Sequence, residues 1–411
     1  MLIKEISLTE FEQFVQQNVI GNFYQSINYA MLKAEEGYDY EFIGLIDNND
    51  LIAASLILYK KIGSYYYGYS PRGFLIDYSN YYLLNEFTKL IKEYYKSRNF
   101  AFIKINPEVA IAKLNKKTQN FEYNDNYITV NNLIRCGYKK LKDNMYFEAL
   151  LPRINAILNL KTFDINTFNK NTRNKIKKAI RKGLTLELAD QSKIPILYNL
   201  IKNYSDKSEF YLNNLYNVFN KNNSLDFFLV KVNFKEFLIN SQNYYNYEYE
   251  KNSYLNNKII VNRSSEAINA KMNSDKALLS YKNDIAEASK YLNSEETLYV
   301  AGAMVVKYDN RVSIKICGFD HNLKRYSSNY YLYFAILNYY QNKFSYADLD
   351  GITADLSKEG KYYGLNRFKL GFNPDIYEYP GEFDLIINES AYNYLQKFGL
   401  LAKELNKWLL E

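Results

Sequence analysis

Residues 51–73, LIAASLILYKKIGSYYYGYSPRG, and residues 298–320, LYVAGAMVVKYDNRVSIKICGFD, carry the same features in the same order. Each opens on a run rich in small residues, breaks at a turn and continues into a second run with glycine near its end. Apolar, aromatic and β-branched runs bounded by turn residues predict strands. Each copy is followed by a helical pattern, YLLNEFTKLIKEYYKSR or SSNYYLYFAILNYYQNK, and then by another strand, FAFIKINP or YADLDGI. A chain of 411 residues is too long for one ordinary core. Two copies of one mixed α/β unit account for its length. Before the first copy, LTEFEQFVQQN reads as a helix with Thr9 as candidate cap, QSINYAMLKAEEGY as a helix ended by Gly37, and YEFIGLID as a strand.

Residues 235–292 differ from both units. They contain no glycine or proline, and their second half spaces Ile268, Met272, Leu279, Ile285 and Ala286 in rough helical register. This predicts two long antiparallel helices, either a projecting hairpin or an ordinary packed pair.

The inventory excludes several chemistries. The single histidine, His321, rules out paired histidine ligands, and neither a G-x-x-x-x-G-K-[ST] loop nor a G-x-G-x-x-G fingerprint is present. Cys136 and Cys317 are far apart, lack metal-ligand spacing and suit a reducing compartment. The first residues, MLIKEISLTEFEQF, do not resemble a secretory signal, and there is no apolar run of about 18 residues for a membrane span. The reading is a cytoplasmic protein with at most peripheral membrane contact, no metal and no cofactor. Its net charge of +7 suits an anionic partner.

Two stretches stand out chemically. KNTRNKIKKAIRKGL places Lys170, Arg173, Lys175, Lys177, Lys178, Arg181 and Lys182 together with no acid among them, and Gly183 is a helix stop. Like charges one turn apart oppose a helix, so something anionic or acidic should offset them. A solvated basic face and a phosphate-binding face both fit. GKYYGLNRFKLGFNP sets Lys369 among Phe368, Phe372 and three glycines. Such a lysine either carries its charge out to water or holds it where a partner arrives. In a dry site it would stabilise a developing oxyanion.

GNFYQSINYAMLKAEEGY, YSPRGFLID, FIKINPE, NTRNKIKKAIRKGL, ICGFD, YSSNYYLYFAIL and YYGLNRFKLGFNP, followed by YPGEFDL, occur in an order that resembles the FemABX peptidyltransferases over nearly the whole chain. The Pro-Arg-Gly and Gly-Leu-x-x-Phe-Lys-x-x-Phe segments carry most of the likeness. The resemblance implies two acetyltransferase-like (GNAT-type) domains of mixed α/β structure: residues 1–150 with 378–411 as the first, and 151–377 as the second, with 235–292 as an inserted helical arm. It implies transfer of an amino acid from aminoacyl-tRNA to the stem-peptide amine of a peptidoglycan precursor, UDP-linked or as lipid II. No DNA partner and no acetyl-CoA are expected.

Residue by residue, the resemblance makes Lys33 a ligand of precursor phosphates and Lys369 the stabiliser of the tetrahedral intermediate. Arg72, Asn106, Tyr216, Tyr326 and Phe368 fall in the segments expected to contact substrate. The cations Arg173, Lys175, Lys177, Lys178, Arg181 and Lys182 are assigned to tRNA. Two positions depart from the pattern. An arginine expected near Tyr216 is replaced by Asn213 or a neighbour, and an acid expected before proline is Asn106, which cannot take a proton. The proton of the attacking amine would then pass to a substrate or tRNA group. Transfer to a different amine, on a lipid or an antibiotic intermediate, and binding without turnover stay open as alternatives.

Overall fold

The computed structural model describes residues 1–17, 22–148, 150–293 and 297–397. Both copies of the repeated unit fold the same way. In the first, Asp50–Ile62 and Tyr65–Ser70 pair antiparallel, the helix Tyr81–Lys96 crosses over, and Phe100–Ile105 returns parallel to Tyr65–Ser70. In the second, Tyr299–Tyr308 and Arg311–Phe319 pair antiparallel, Ser328–Tyr340 crosses over, and Tyr346–Ile352 returns parallel to Arg311–Phe319. Parallel neighbours need such a crossover, whereas the antiparallel pairs close in tight turns.

Local chemistry explains the elements. The Asn80 side chain caps Tyr81–Lys96 by accepting from the Leu83 N–H, and the helix buries Leu84, Phe87, Ile91 and Tyr95. That spacing puts them on one face, each contributing about 1.5–3 kcal/mol on burial. The first helix, Leu8–Gln17, is capped by Ser7, two residues before the expected Thr9. Ser7 Oγ accepts from the Glu10 N–H while the Glu10 carboxylate accepts from the Ser7 N–H, a reciprocal capping box.

Among the described residues the strands form a seven-stranded and a nine-stranded sheet. Near the end of the described chain, Phe383–Ile386 pairs with Phe100–Ile105 in the first sheet. Lys104 Nζ donates to Asp384 at 2.8 Å, and the Tyr392 hydroxyl donates to the other Asp384 oxygen at 2.8 Å. Residues 398–411 of the expected return lie outside the described residues. Sheet membership departs from the 1–150 boundary in one place: Ala112–Leu114 and Phe121–Tyr123 join the second sheet through Asp375–Glu378. Pro107, without an N–H, lies two residues beyond Ile105, the last residue of its strand paired in the first sheet, and Leu114 is buried in the core of the second sheet. A third core joins the units, with Phe23, Tyr24 and Tyr29 packed among Leu212, Phe219 and Met304.

Phe234–Val261 and Ser265–Tyr291 form an antiparallel helical hairpin. Its seam is not the one the apolar spacing predicted. Ala267, Ser274, Asp284 and Ala288 are buried, whereas Ile268, Met272 and Leu279 are exposed. Small residues let the helices approach, and polar ones find partners across the seam: Asn252 Nδ2 donates to Ser274 Oγ at 3.0 Å and to Asp275 at 2.9 Å.

Candidate active site

Lys369 lies in the short helix Tyr363–Leu370 and is only 5% exposed. The rings of Phe368, Tyr333 and Phe372 pack edge to face or tilted against one another beside it. Its Nζ donates to the Gly351 carbonyl at 2.7 Å. Glycine is required there for close approach: a Cβ at position 351 would fall 2.3 Å from Pro152 Cβ. The preceding Asp350 has φ +70°, a left-handed conformation uncommon for a side-chain-bearing residue and concentrated at functional sites.

A second lysine completes this cluster. Lys315, on the neighbouring strand Arg311–Phe319, approaches Asp350 at 3.0 Å and lies 5.2 Å from the centre of the Tyr24 ring. Burial pushes the Asp350 carboxyl up, but Lys315 and Lys369 prevail and hold it at about 2. Burial pulls the Lys369 ammonium below the usual lysine range, against the raising field of Asp350. Two cations thus flank one low-pKa carboxylate in a dry setting, where charge acts strongly.

A cavity of about 140 Å³ opens between the two units, with Tyr24, Arg72, Glu108, Asn155, Arg311 and Asp348 in its wall. Arg72 also has a left-handed backbone, φ +56°. Its N–H donates to Asn106 Oδ1 at 2.8 Å, and the Tyr69 hydroxyl donates to the same oxygen at 3.2 Å. Asn106 thus fixes the turn that presents Arg72, and its buried Nδ2 has no hydrogen-bond partner among the described residues. Arg72 Nη2 donates to the Pro152 carbonyl at 2.7 Å, with the guanidinium 4.8 Å from the Tyr379 ring centre. Glu108, two residues beyond Asn106, is ion-paired to Arg311. Burial raises its carboxyl, but Arg311 and Arg72 together bring it below the ordinary range.

Other candidate residues lie elsewhere. Lys33, on the helix Ile27–Glu35, meets Glu36 at 2.5 Å, with the Tyr29 and Tyr38 ring centres 5.8 and 5.9 Å away. The adjoining groove includes Glu35, Glu36 and Asp206. Tyr216 packs on the core shared by the two units. Asn213 accepts from Gln191 at 3.0 Å and donates to the Glu209 carbonyl at 3.0 Å, so its amide is occupied within its own domain. Tyr326 is fully buried at the hairpin root, where its hydroxyl donates to Glu287 at 2.7 Å. It is not part of the cavity wall.

The basic segment forms the helix Lys170–Arg181, capped by Asn169. It starts against the Lys369 loop: the Asn169 N–H donates to the Gly371 carbonyl at 3.0 Å, and a Cβ on Gly371 would lie 2.2 Å from Thr172 Oγ1. Its cations divide into two sets. Lys182 donates to Asp284 at 2.6 Å and lies 3.7 Å from Glu287, while Arg181 donates to Asp284 at 3.1 Å. The hairpin therefore supplies the acids that offset this end of the helix, and buried Lys182 is not presented to solvent. Arg173 donates to the carbonyls of Asn166 and Phe168 at 2.6 and 3.0 Å. Lys177 is exposed, and Lys175 and Lys178 are half-buried.

Sequence reasoning missed Lys315, Asp348, Asp350, Glu108 and Arg311. The available signal was charge inside strands: Asp348 and Asp350 interrupt YADLDGI, and Lys315 interrupts SIKICG. Charged residues are almost never fully buried unless paired, so such interruptions point to a cluster.

Among the described residues no helix is long and apolar enough to cross a membrane. The FemAB family model matches residues 6–398. The chain is 24% identical over 406 residues to a lipid II:glycine glycyltransferase of Staphylococcus epidermidis, covering 95% of this chain and 94% of that protein. It is 22% identical over 407 residues to a lipid II:glycine glycyltransferase of Staphylococcus aureus, with coverage of 95% and 94%. The crystal structure of FemX matches with a TM-score of 0.74 at 22% identity, covering 96% of this chain and 100% of that one. The FemX likeness bears out the expected two-unit, acetyltransferase-like fold. The chain belongs to the FemAB family and is an enzyme of the acyltransferase type.

Proposed function

We propose that the protein transfers an amino acid from aminoacyl-tRNA to the stem-peptide amine of a peptidoglycan precursor, with lipid II as the acceptor, building an interpeptide bridge. The reading rests on family membership and on relatives named as lipid II:glycine glycyltransferases. The observation that carries it is the junction of Lys369 with the basic helix, whose capping residue Asn169 is bonded to the loop just after that lysine. A tRNA backbone along this helix would bring its acylated end toward a buried ammonium. An amine attacking an activated ester needs orientation and a stabilised oxyanion, and Lys369 supplies the second. Incubation with charged tRNAs and either lipid II or the UDP-linked precursor tests the reading. Acceptor product should require charged tRNA, and product that forms without it would contradict the proposed donor.

Two variants separate the substrate sites. Reversing Lys175, Lys177 and Lys178 to Glu should raise the KM for charged tRNA and flatten its salt dependence, by about one unit of log–log slope for each phosphate no longer neutralised. An unchanged tRNA KM across salt concentrations would assign these lysines to a solvated face. Lys33→Ala should weaken acceptor binding by about 1.5–3 kcal/mol, as for a missing hydrogen bond to a charged group, and leave tRNA affinity alone. Equal acceptor Kd values in mutant and wild type would make the role of Lys33 structural.

A further inference from the structure

We propose that Asp348 is the carboxylate that takes the proton from the acceptor amine during transfer; this rests on the functional reading above. Three carboxylates line the cavity between the units: Glu108, Asp348 and Asp309. Glu108 is committed to Arg311, and Asp309 is exposed in the turn between two strands. Asp348 is 6% exposed, and among the described residues no lysine or arginine forms an ion pair with it. It is held by neutral donors instead: the Asp350 N–H at 2.8 Å and Asn155 Nδ2 at 3.3 and 3.4 Å from its two oxygens. The charged groups around it are Lys315 and Arg311 from the adjacent strand, Asp350 from its own, Lys369 from the following helix, and Arg72 and Glu108 in the cavity wall. Burial raises its carboxyl despite Lys315, the direction that makes a carboxylate a better base. Asn106, where the family resemblance implies an acid, is an amide bonded to Arg72.

The step balances without a further reactant. The neutral amine nitrogen bonds to the ester carbonyl carbon, and the carbonyl electron pair moves onto oxygen, opposite the Lys369 charge. The nitrogen, now positive, gives one proton to the Asp348 carboxylate. Collapse breaks the carbon–oxygen bond to the tRNA ribose, and the departing oxygen receives that proton. Asp348 returns to its carboxylate form and an amide has been made.

Asp348→Asn tests the assignment, with full-length protein, charged tRNA and lipid II. The expected kcat falls by about 10²–10⁴, with little change in either KM. In wild type, acid should suppress kcat/KM through two protonations, one on the amine and one on Asp348; in the variant only the amine protonation should remain. Asp348→Glu, which keeps the charge, should fold even if the amide does not and should recover part of kcat with a displaced acid limb. A folded Asp348→Asn protein with near wild-type kcat overturns the proposal and leaves the proton to a substrate or tRNA group. So does an Asp348→Glu protein with an unaltered profile. A wild-type protein without turnover overturns the functional reading, and this one with it.

Discussion

Lys369→Met should lower kcat by about 10²–10³ while leaving both KM values nearly unchanged, the pattern for losing one oxyanion donor used only in the transition state. Methionine keeps the length of the stem and removes the charge. The substitution loses the hydrogen bond to the Gly351 carbonyl, but Asp350 retains Lys315 at 3.0 Å, so the cluster is not left as an isolated anion. The Lys369 ammonium is only 5% exposed and pulled down by burial, an arrangement whose energetic cost makes sense if negative charge develops nearby. Single-turnover kinetics with saturating charged tRNA and acceptor measure the effect, alongside a thermal melt. A folded variant with near wild-type kcat would assign Lys369 to structure and move the chemistry to the cavity residues and backbone amides.

The second large effect is on stability, at the hairpin root. Lys182 and Asp284 meet at 2.6 Å with side chains 3% and 8% exposed. Removing one partner of a buried pair typically costs about 3–5 kcal/mol because the other charge is left without compensation. Asp284→Ala should fall toward the low end, since Glu287 stays 3.7 Å from Lys182. Adding Lys182→Met should restore most of the loss, as removing both charges is far cheaper than removing one. Urea unfolding of the wild type, both single variants and the double variant measures this. Additive losses in the cycle would show that the pair is not coupled.

Much of the fold is legible in the sequence because its signals are local. The repeated strand pair and its crossover helix are written in contiguous runs, and the hairpin in the absence of glycine and proline over residues 235–292. The seam of the hairpin is not legible. Packing selects Ala267, Ser274 and Ala288 over Met272 and Leu279, and helix spacing alone does not say which face meets a partner. Lys182 groups by sequence with the other cations of its segment because its counter-charge, Asp284, lies about a hundred residues away. Separations of 35 and 203 residues likewise hide the Lys315–Asp350 pair, brought together by neighbouring strands, and the Arg311–Glu108 pair, which joins a strand to the segment after Ile105. Lys369 is legible because the residues that mark it, Phe368 and Phe372, are close in sequence and their rings pack on each other.

The most direct test of the central claim is the mass and linkage of the acceptor after reaction. Lipid II incubated with this protein and isotope-labelled aminoacyl-tRNA should gain one aminoacyl residue, which tandem mass spectrometry should place on the side-chain amine of the stem peptide. The gain should vanish with deacylated tRNA and fall steeply with Lys369→Met. An acceptor of unchanged mass in the presence of every charged tRNA, or label appearing on a different amine, would contradict the account.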